Sequence, residues 1–159
     1  MNTGPYSDAE VQKFISEEFI PVRSQCFWDK PTEAMKQYGI QWTPTFVVHA
    51  PDGKEHHRFV GYVPSDDLAA QLGLGVGKIH YDTGRFAEAI EQFRTVIERH
   101  PHAGATPEAV FLLGVSGYKH SHDPKALRRA YDTLVAKYPQ SEWARRADPY
   151  SAIPLEESA

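Results

Sequence analysis

The sequence predicts an α/β part followed by an all-α part, and three observations carry that prediction. The stretch "GIQWTPTFVVHAPDGKEHHRFVGY" (39–62) is an apolar strand, a Pro-Asp-Gly turn and a return strand closed by glycine. From Ser65 to about residue 150 the apolar residues recur at helical spacing only. No Gly/Pro/Ser-rich linker separates the two parts, so the helix opened near Ser65 runs straight into the first helical hairpin.

Taken in order, "SDAEVQKFISEEF" carries a Ser-x-x-Glu capping box at Ser7 and Glu10, with Val11, Phe14, Ile15 and Phe19 at helical spacing, which predicts a helix over 8–18. "FIPVR" (19–23) predicts a short strand, followed by an aromatic loop, "SQCFWD". "PTEAMKQYGI" predicts a helix with Pro31 in its first turn and Gly39 as its stop. A strand over 44–50 holds Phe46, Val47 and Val48, a run suited to cover on both faces. At Pro51-Asp52-Gly53 proline presets φ and glycine accepts a positive φ, and "EHHRFVGY" is the return strand.

Ser65 is the expected N-cap of the next helix, with Asp66 and Asp67 complementing its dipole. That helix and "RFAEAIEQFRTVIERHP" form one pair, broken at Asp82-Thr83-Gly84. "TPEAVFLLGVSGYKHSHD" and "PKALRRAYDTLVAKYP" form a second, with Thr106-Pro107 and Asp123-Pro124 each giving an N-cap followed by proline. Ser141 opens a short last helix, and the tail over 151–159 is expected to be disordered. Aligning Pro101 with Pro139 places Phe93 opposite Tyr131, while Gly77 and Gly114 lie 24 and 25 residues before those prolines. The two pairs are thus an internal repeat with a one-residue slip, and Gly77 should pack on Phe93 and Gly114 on Tyr131.

Bulk numbers exclude several classes. The formal net charge of -4 divides evenly, with 6 Lys+Arg against 8 Asp+Glu in residues 1–65 and 11 against 13 in the rest, so neither half has the clustered positive surface of a nucleic-acid binder. No run approaches the roughly 18 apolar residues of a membrane span, and mean hydropathy is -0.51. "MNTGPYSDAE" has no charged n-region or apolar h-region, so no secretory signal is read and a cytoplasmic location is expected. One cysteine, Cys26, leaves no intramolecular disulfide and no CxxC motif within these residues.

The helical part resembles tetratricopeptide repeats, with Gly77, Gly84, Ala89, Phe93 and Pro101 at the small, aromatic and closing positions of the first unit. The second unit keeps Gly114, Tyr131 and Pro139, has Leu127 where alanine is expected, and carries a four-residue insertion, "AGAT". Residues 8–72 resemble a thioredoxin-like domain entered partway through. On that resemblance "YGIQWTPTFVV" is the cis-proline segment, Pro44 is the cis-proline, and Thr43 is the residue whose backbone meets an extended substrate peptide. The family's first strand and its CxxC would lie just before residue 1. The fold class is therefore a partial thioredoxin-like α/β domain (1–67) followed by about two TPR-like hairpins (68–150) and the tail (151–159). The absent family strand would normally pair with 19–23. The segment is expected instead to pair directly with the 44–49 strand, or with a second copy in a homodimer, because a free apolar edge is an aggregation template.

Candidate chemistry is sparse. Cys26 beside Phe27 and Trp28 reads as a small hydrophobe rather than a nucleophile. The histidine pairs do not converge: "HPH" and "HSHD" cap opposite ends of one helix about 18 Å apart, and adjacent His56 and His57 point to opposite faces of a strand. No metal or other cofactor is expected, and no catalytic residue is assigned. "GLGVG" (73–77) lies within a helix, so its glycines read as close packing and not as a phosphate loop. The expected peptide-binding residues are Trp42, Thr43 and Pro44, with Gln71, Lys78, Tyr81, Phe111 and Tyr118 on the helices. Two functions fit: a redox-inactive adaptor for a protein or peptide partner, or a thiol-disulfide oxidoreductase whose CxxC segment lies upstream of the given start. Neither binds nucleic acid or membrane.

Overall fold

The computed structural model describes residues 4–155. The chain opens with a 3₁₀ turn at Pro5–Ser7 and helix α1 at Ala9–Glu18. Asp8, not Ser7, caps α1: its carboxylate accepts from the amides of Glu10 at 3.0 Å and Val11 at 3.2 Å. Ser7 is spent inside the 3₁₀ turn, where its hydroxyl donates to Gly4 O. A carboxylate that satisfies two helix-end amides is the stronger cap.

The strand expected at 19–23 does not form. Phe19 packs edge-on against Phe14, with ring centroids 6.0 Å apart, and beyond it Ile20 is 94% and Val22 90% exposed. Residues 19–23 join no strand ladder with 44–49 or with any other described segment. The residues are strand formers, but a strand is stabilised by its neighbour, and Pro21 removes one donor from any ladder. Helix α2 (Glu33–Gln37) is capped by Thr32, whose hydroxyl accepts from Met35 N. Pro31 precedes that cap instead of occupying the first turn. Gly39 stops the helix at φ 59°, as expected.

Strands β1 (Thr45–His49) and β2 (Glu55–Val60) form a two-stranded antiparallel sheet, with Val48 opposite His57 and Phe46 opposite Phe59. Gly53 in the turn between them takes the expected positive φ, 81°. On one face Tyr6, Phe46 and Phe59 stack in a column, at 5.9 and 4.5 Å between successive rings. That face closes on Val11 of α1 and on Leu68 and Leu72 of the next helix. On the other face Tyr38 stacks on His49 and its carbonyl accepts from Arg58 at 2.6 Å.

Helix α3 (Ser65–Asp82) continues without interruption from the sheet into the helical part. Pro64 takes the cap, so Ser65 is the first helical residue and its side chain caps nothing. The carboxylates behind it reach further: Asp67 accepts from Gly104 N at 2.6 Å, and Asp66 pairs with His100 at 2.5 Å. Helices α4 (Phe86–Arg99), α5 (Thr106–Ser121) and α6 (Lys125–Lys137) complete two antiparallel hairpins, followed by α7 (Glu142–Arg146). Ala105 stands at the α5 cap position, and the Thr106 hydroxyl turns back to His100 O. Pro124, not Asp123, stands at the α6 cap position, and Asp123 before it accepts from Lys125 N at 2.9 Å; Ser141 caps α7 as its position suggests, accepting from Ala144 N at 3.1 Å.

The core runs along the hairpins in two linked clusters, one around Leu74, Phe93 and Ala109 and one around Val110, Ala130 and Leu134, with Ile97 packed against both. A Cβ on Gly77 would collide with the Phe93 ring, as the repeat predicts. Gly114, however, faces Ala130 and not Tyr131. The same number of residues separates Gly77 from Phe93 and Gly114 from Ala130. The contact across a hairpin is set by the chain length joining its helices, and the one-residue slip falls after it. The tail expected to be disordered begins as a 3₁₀ turn at Asp148–Ala152, and Arg128 Nη1 donates to Ser151 O at 2.7 Å and Ile153 O at 2.9 Å. Residues 156–159 lie outside the described residues.

Candidate functional site

The Thr43–Pro44 peptide bond is cis, the geometry that the cis-proline segment implies. Around it the chain is pinned on both sides: Thr45 Oγ1 donates to Trp42 O at 2.6 Å, and Gly61 N donates to Pro44 O at 2.8 Å. The second bond sets the phase of the antiparallel ladder. If Pro44 bonds toward β2, then Phe46 and Val48 do as well, and the amides and carbonyls of Thr45 and Val47 point away from it. Among the described residues no backbone group meets that outer edge. Beside it the ring of Trp42, 66% exposed, stacks on Trp28 at 6.3 Å and 28°. Trp42, Thr43 and Pro44 thus lie together in sequence next to an open strand edge, with two stacked, exposed indoles.

The helical residues do not join it. Gln71 and Lys78 face inward and converge on His57, which is buried. Gln71 Oε1 lies 2.7 Å from His57 Nε2, Lys78 Nζ lies 3.2 Å from His57 Nδ1, and Lys78 also pairs with Glu108 of α5 at 2.5 Å. The ammonium can only donate, so Nδ1 is the acceptor and His57 carries its proton on Nε2, donated to Gln71. Burial first and Lys78 second hold the His57 pKa below its ordinary 6.5. His57 and Glu108 are missing from the residues expected above. Period-two counting could have found His57, since it shares a strand face with Phe59 and so faces the core.

Phe111 is covered by Trp143 at 5.1 Å and Tyr150 at 5.9 Å. Tyr81 meets Phe86 edge-on at 5.7 Å and packs on the core around Phe93. Burial, and then Tyr81, raise the Tyr150 hydroxyl pKa. Tyr118 alone of the helical set remains exposed. Of the helical residues expected to take a peptide, Gln71 and Lys78 are therefore engaged by the sheet, and Phe111 by α7 and the following turn.

Cys26 is half-buried and stands in the irregular segment between α1 and α2. Among the described residues no three His, Cys, Asp or Glu side chains are grouped to hold a metal ion, and no helix is long and apolar enough to cross a membrane.

Residues 6–75 match the family model described as a thioredoxin-like domain. The α/β part of this chain is thus a thioredoxin-like domain, and the match ends inside α3, the helix it shares with the first hairpin. No curated protein and no solved structure matches the chain.

Proposed function

We propose that this chain is a non-catalytic module that binds an extended peptide segment along the outer edge of β1, with α3–α6 as TPR-like hairpins that hold the sheet rigid from behind. One observation carries the proposal: the unpaired edge at Thr45 and Val47 lies beside the exposed Trp28–Trp42 stack. A peptide added as a strand would gain main-chain hydrogen bonds from that edge, and the indoles would supply a large, rigid anchor of the kind that dominates interface energetics. With a single thiol, these residues have no dithiol to cycle. The proposal assumes a cytoplasmic setting, in which Cys26 stays reduced.

Peptides selected from a random extended library on the immobilised protein test it. In titrations followed by NMR, the amides of Thr45 and Val47 and both indoles should shift on binding. Trp42→Ala should then cost about 2 kcal/mol or more, some thirtyfold in affinity. Selected peptides that perturb only the helices would overturn the assignment.

The thioredoxin-like match favours a second function, thiol-disulfide exchange with the cysteine motif supplied by a strand that pairs with β1. Adding a synthetic strand peptide with a CxxC motif separates the two: insulin reduction that appears only in the mixture supports the oxidoreductase, and binding without turnover supports the adaptor.

A further inference from the structure

The chain Gln71–His57–Lys78–Glu108 crosses three elements and is independent of the β1 edge. His57 stands on β2, Gln71 and Lys78 on α3, and Glu108 on the first turn of α5. The Lys78 and Glu108 side chains are only 22% and 19% exposed. Lys78 is the pivot, because it reaches the sheet through His57 Nδ1 and the second hairpin through Glu108 Oε1. The bond to Nδ1 exists only while that nitrogen has its lone pair.

We propose that His57 is a proton-operated latch between the sheet and the helical hairpins: neutral, it accepts from Lys78 and keeps the sheet seated on α3; protonated, it turns an N–H toward the ammonium and releases it. The groups facing His57 are few. From α3 they are Lys78 and the neutral Gln71, from α5 Glu108, and from its own strand Glu55. Strand β1 presents apolar Val48 at the paired position, and Phe59 lies 5.7 Å away ring to ring. Glu108 and Glu55 favour the protonated ring, but Glu108 is already committed to Lys78, and Glu55 is held by Arg58 through two contacts of 2.7 Å. Burial and the nearer ammonium therefore win.

The sign follows from linkage. The folded pKa lies below the unfolded one, so the unfolded chain takes up the proton first. The latch's stability is fully present above about pH 6.5 and is lost as pH falls from there through the lower folded value.

The test compares melting temperatures at pH 7.5 and 5.0 for the wild-type chain and His57→Gln, a neutral side chain that retains donor and acceptor. The wild type should fall by about 2–4 °C more than the variant. The His56–Asp82 and His100–Asp66 pairs are common to both proteins and cancel in that difference. Equal falls would overturn the latch. Should the variant not fold, long-range nitrogen–proton spectra of the wild type decide. An Nε2–H tautomer that titrates below 6.5 supports the latch; an Nδ1–H tautomer, or a pKa at or above 6.5, sinks it. Hydrogen exchange at pH 5.0 adds the location: β2 amides should lose protection before those of α5 and α6, and uniform loss would mean that protonation destabilises the whole chain with no latch in it.

Discussion

The two halves of this chain treat their apolar residues in opposite ways. In the helical half Phe93 and Leu134 are fully buried, whereas in the α/β half Ile20, Val22, Trp42 and Tyr62 are largely exposed. The difference lies in where each element finds its hydrogen bonds. A helix satisfies its backbone within itself, so two hairpins need only complementary faces to close. A strand depends on a neighbour, and the sheet here has two strands where a stable one usually has three or more. Long α3 compensates in part by giving the sheet a packed floor, with Val48 against Gly75.

Cutting into the helical half should cost most. Phe93→Ala should destabilise the chain by about 3–5 kcal/mol, read as a drop in urea midpoint with little change in slope. A loss below about 1 kcal/mol would show that the hairpin core is not the principal source of stability.

That contact was legible in the sequence because it is local: a glycine and an aromatic on adjacent helices, at a spacing set by one short turn. Gly39, Gly53 and the cis bond before Pro44 were legible for a similar reason, each residue type being tied to its own backbone geometry. What failed depended on a partner distant in sequence or on competition between neighbours. The strand pattern of 19–23 says nothing about whether a neighbouring strand is there to receive it. Ser7 and Ser65 are good caps displaced by Asp8 and Pro64 beside them. Gln71 and Lys78 were expected to face a peptide. The sheet covers them because His57 reaches across from β2, a contact that no helical periodicity contains.

Overpacking sharpens the comparison at a smaller scale. Gly77→Ala should cost about 1–3 kcal/mol, because the added methyl meets the Phe93 ring. Gly114→Ala should cost a similar amount against the Ala130 methyl and the Ala126 carbonyl. If Gly114→Ala proves neutral in thermal melts while Gly77→Ala does not, the second hairpin is looser than its glycine contact implies.

The smallest effect is expected at the segment that fails to become a strand, and it decides most about the free protein. Ile20→Asn and Val22→Ser remove apolar groups that are already in water, so each should change stability by no more than about 0.5 kcal/mol. Their main consequence should be a protein less prone to associate, since Ile20 and Val22 are apolar, exposed and outside any strand ladder. Amide exchange at Ile20 and Val22 should be fast at low protein concentration, while Phe93 and Leu134 exchange only on global unfolding. A cost above about 1.5 kcal/mol, or slow exchange that grows slower with concentration, would mean that 19–23 finds a strand in solution. A second copy of the chain would then be the partner to seek, pairing its own 19–23 with the open edge of β1, and a concentration-dependent mass in sedimentation would separate that dimer from a repair within one chain.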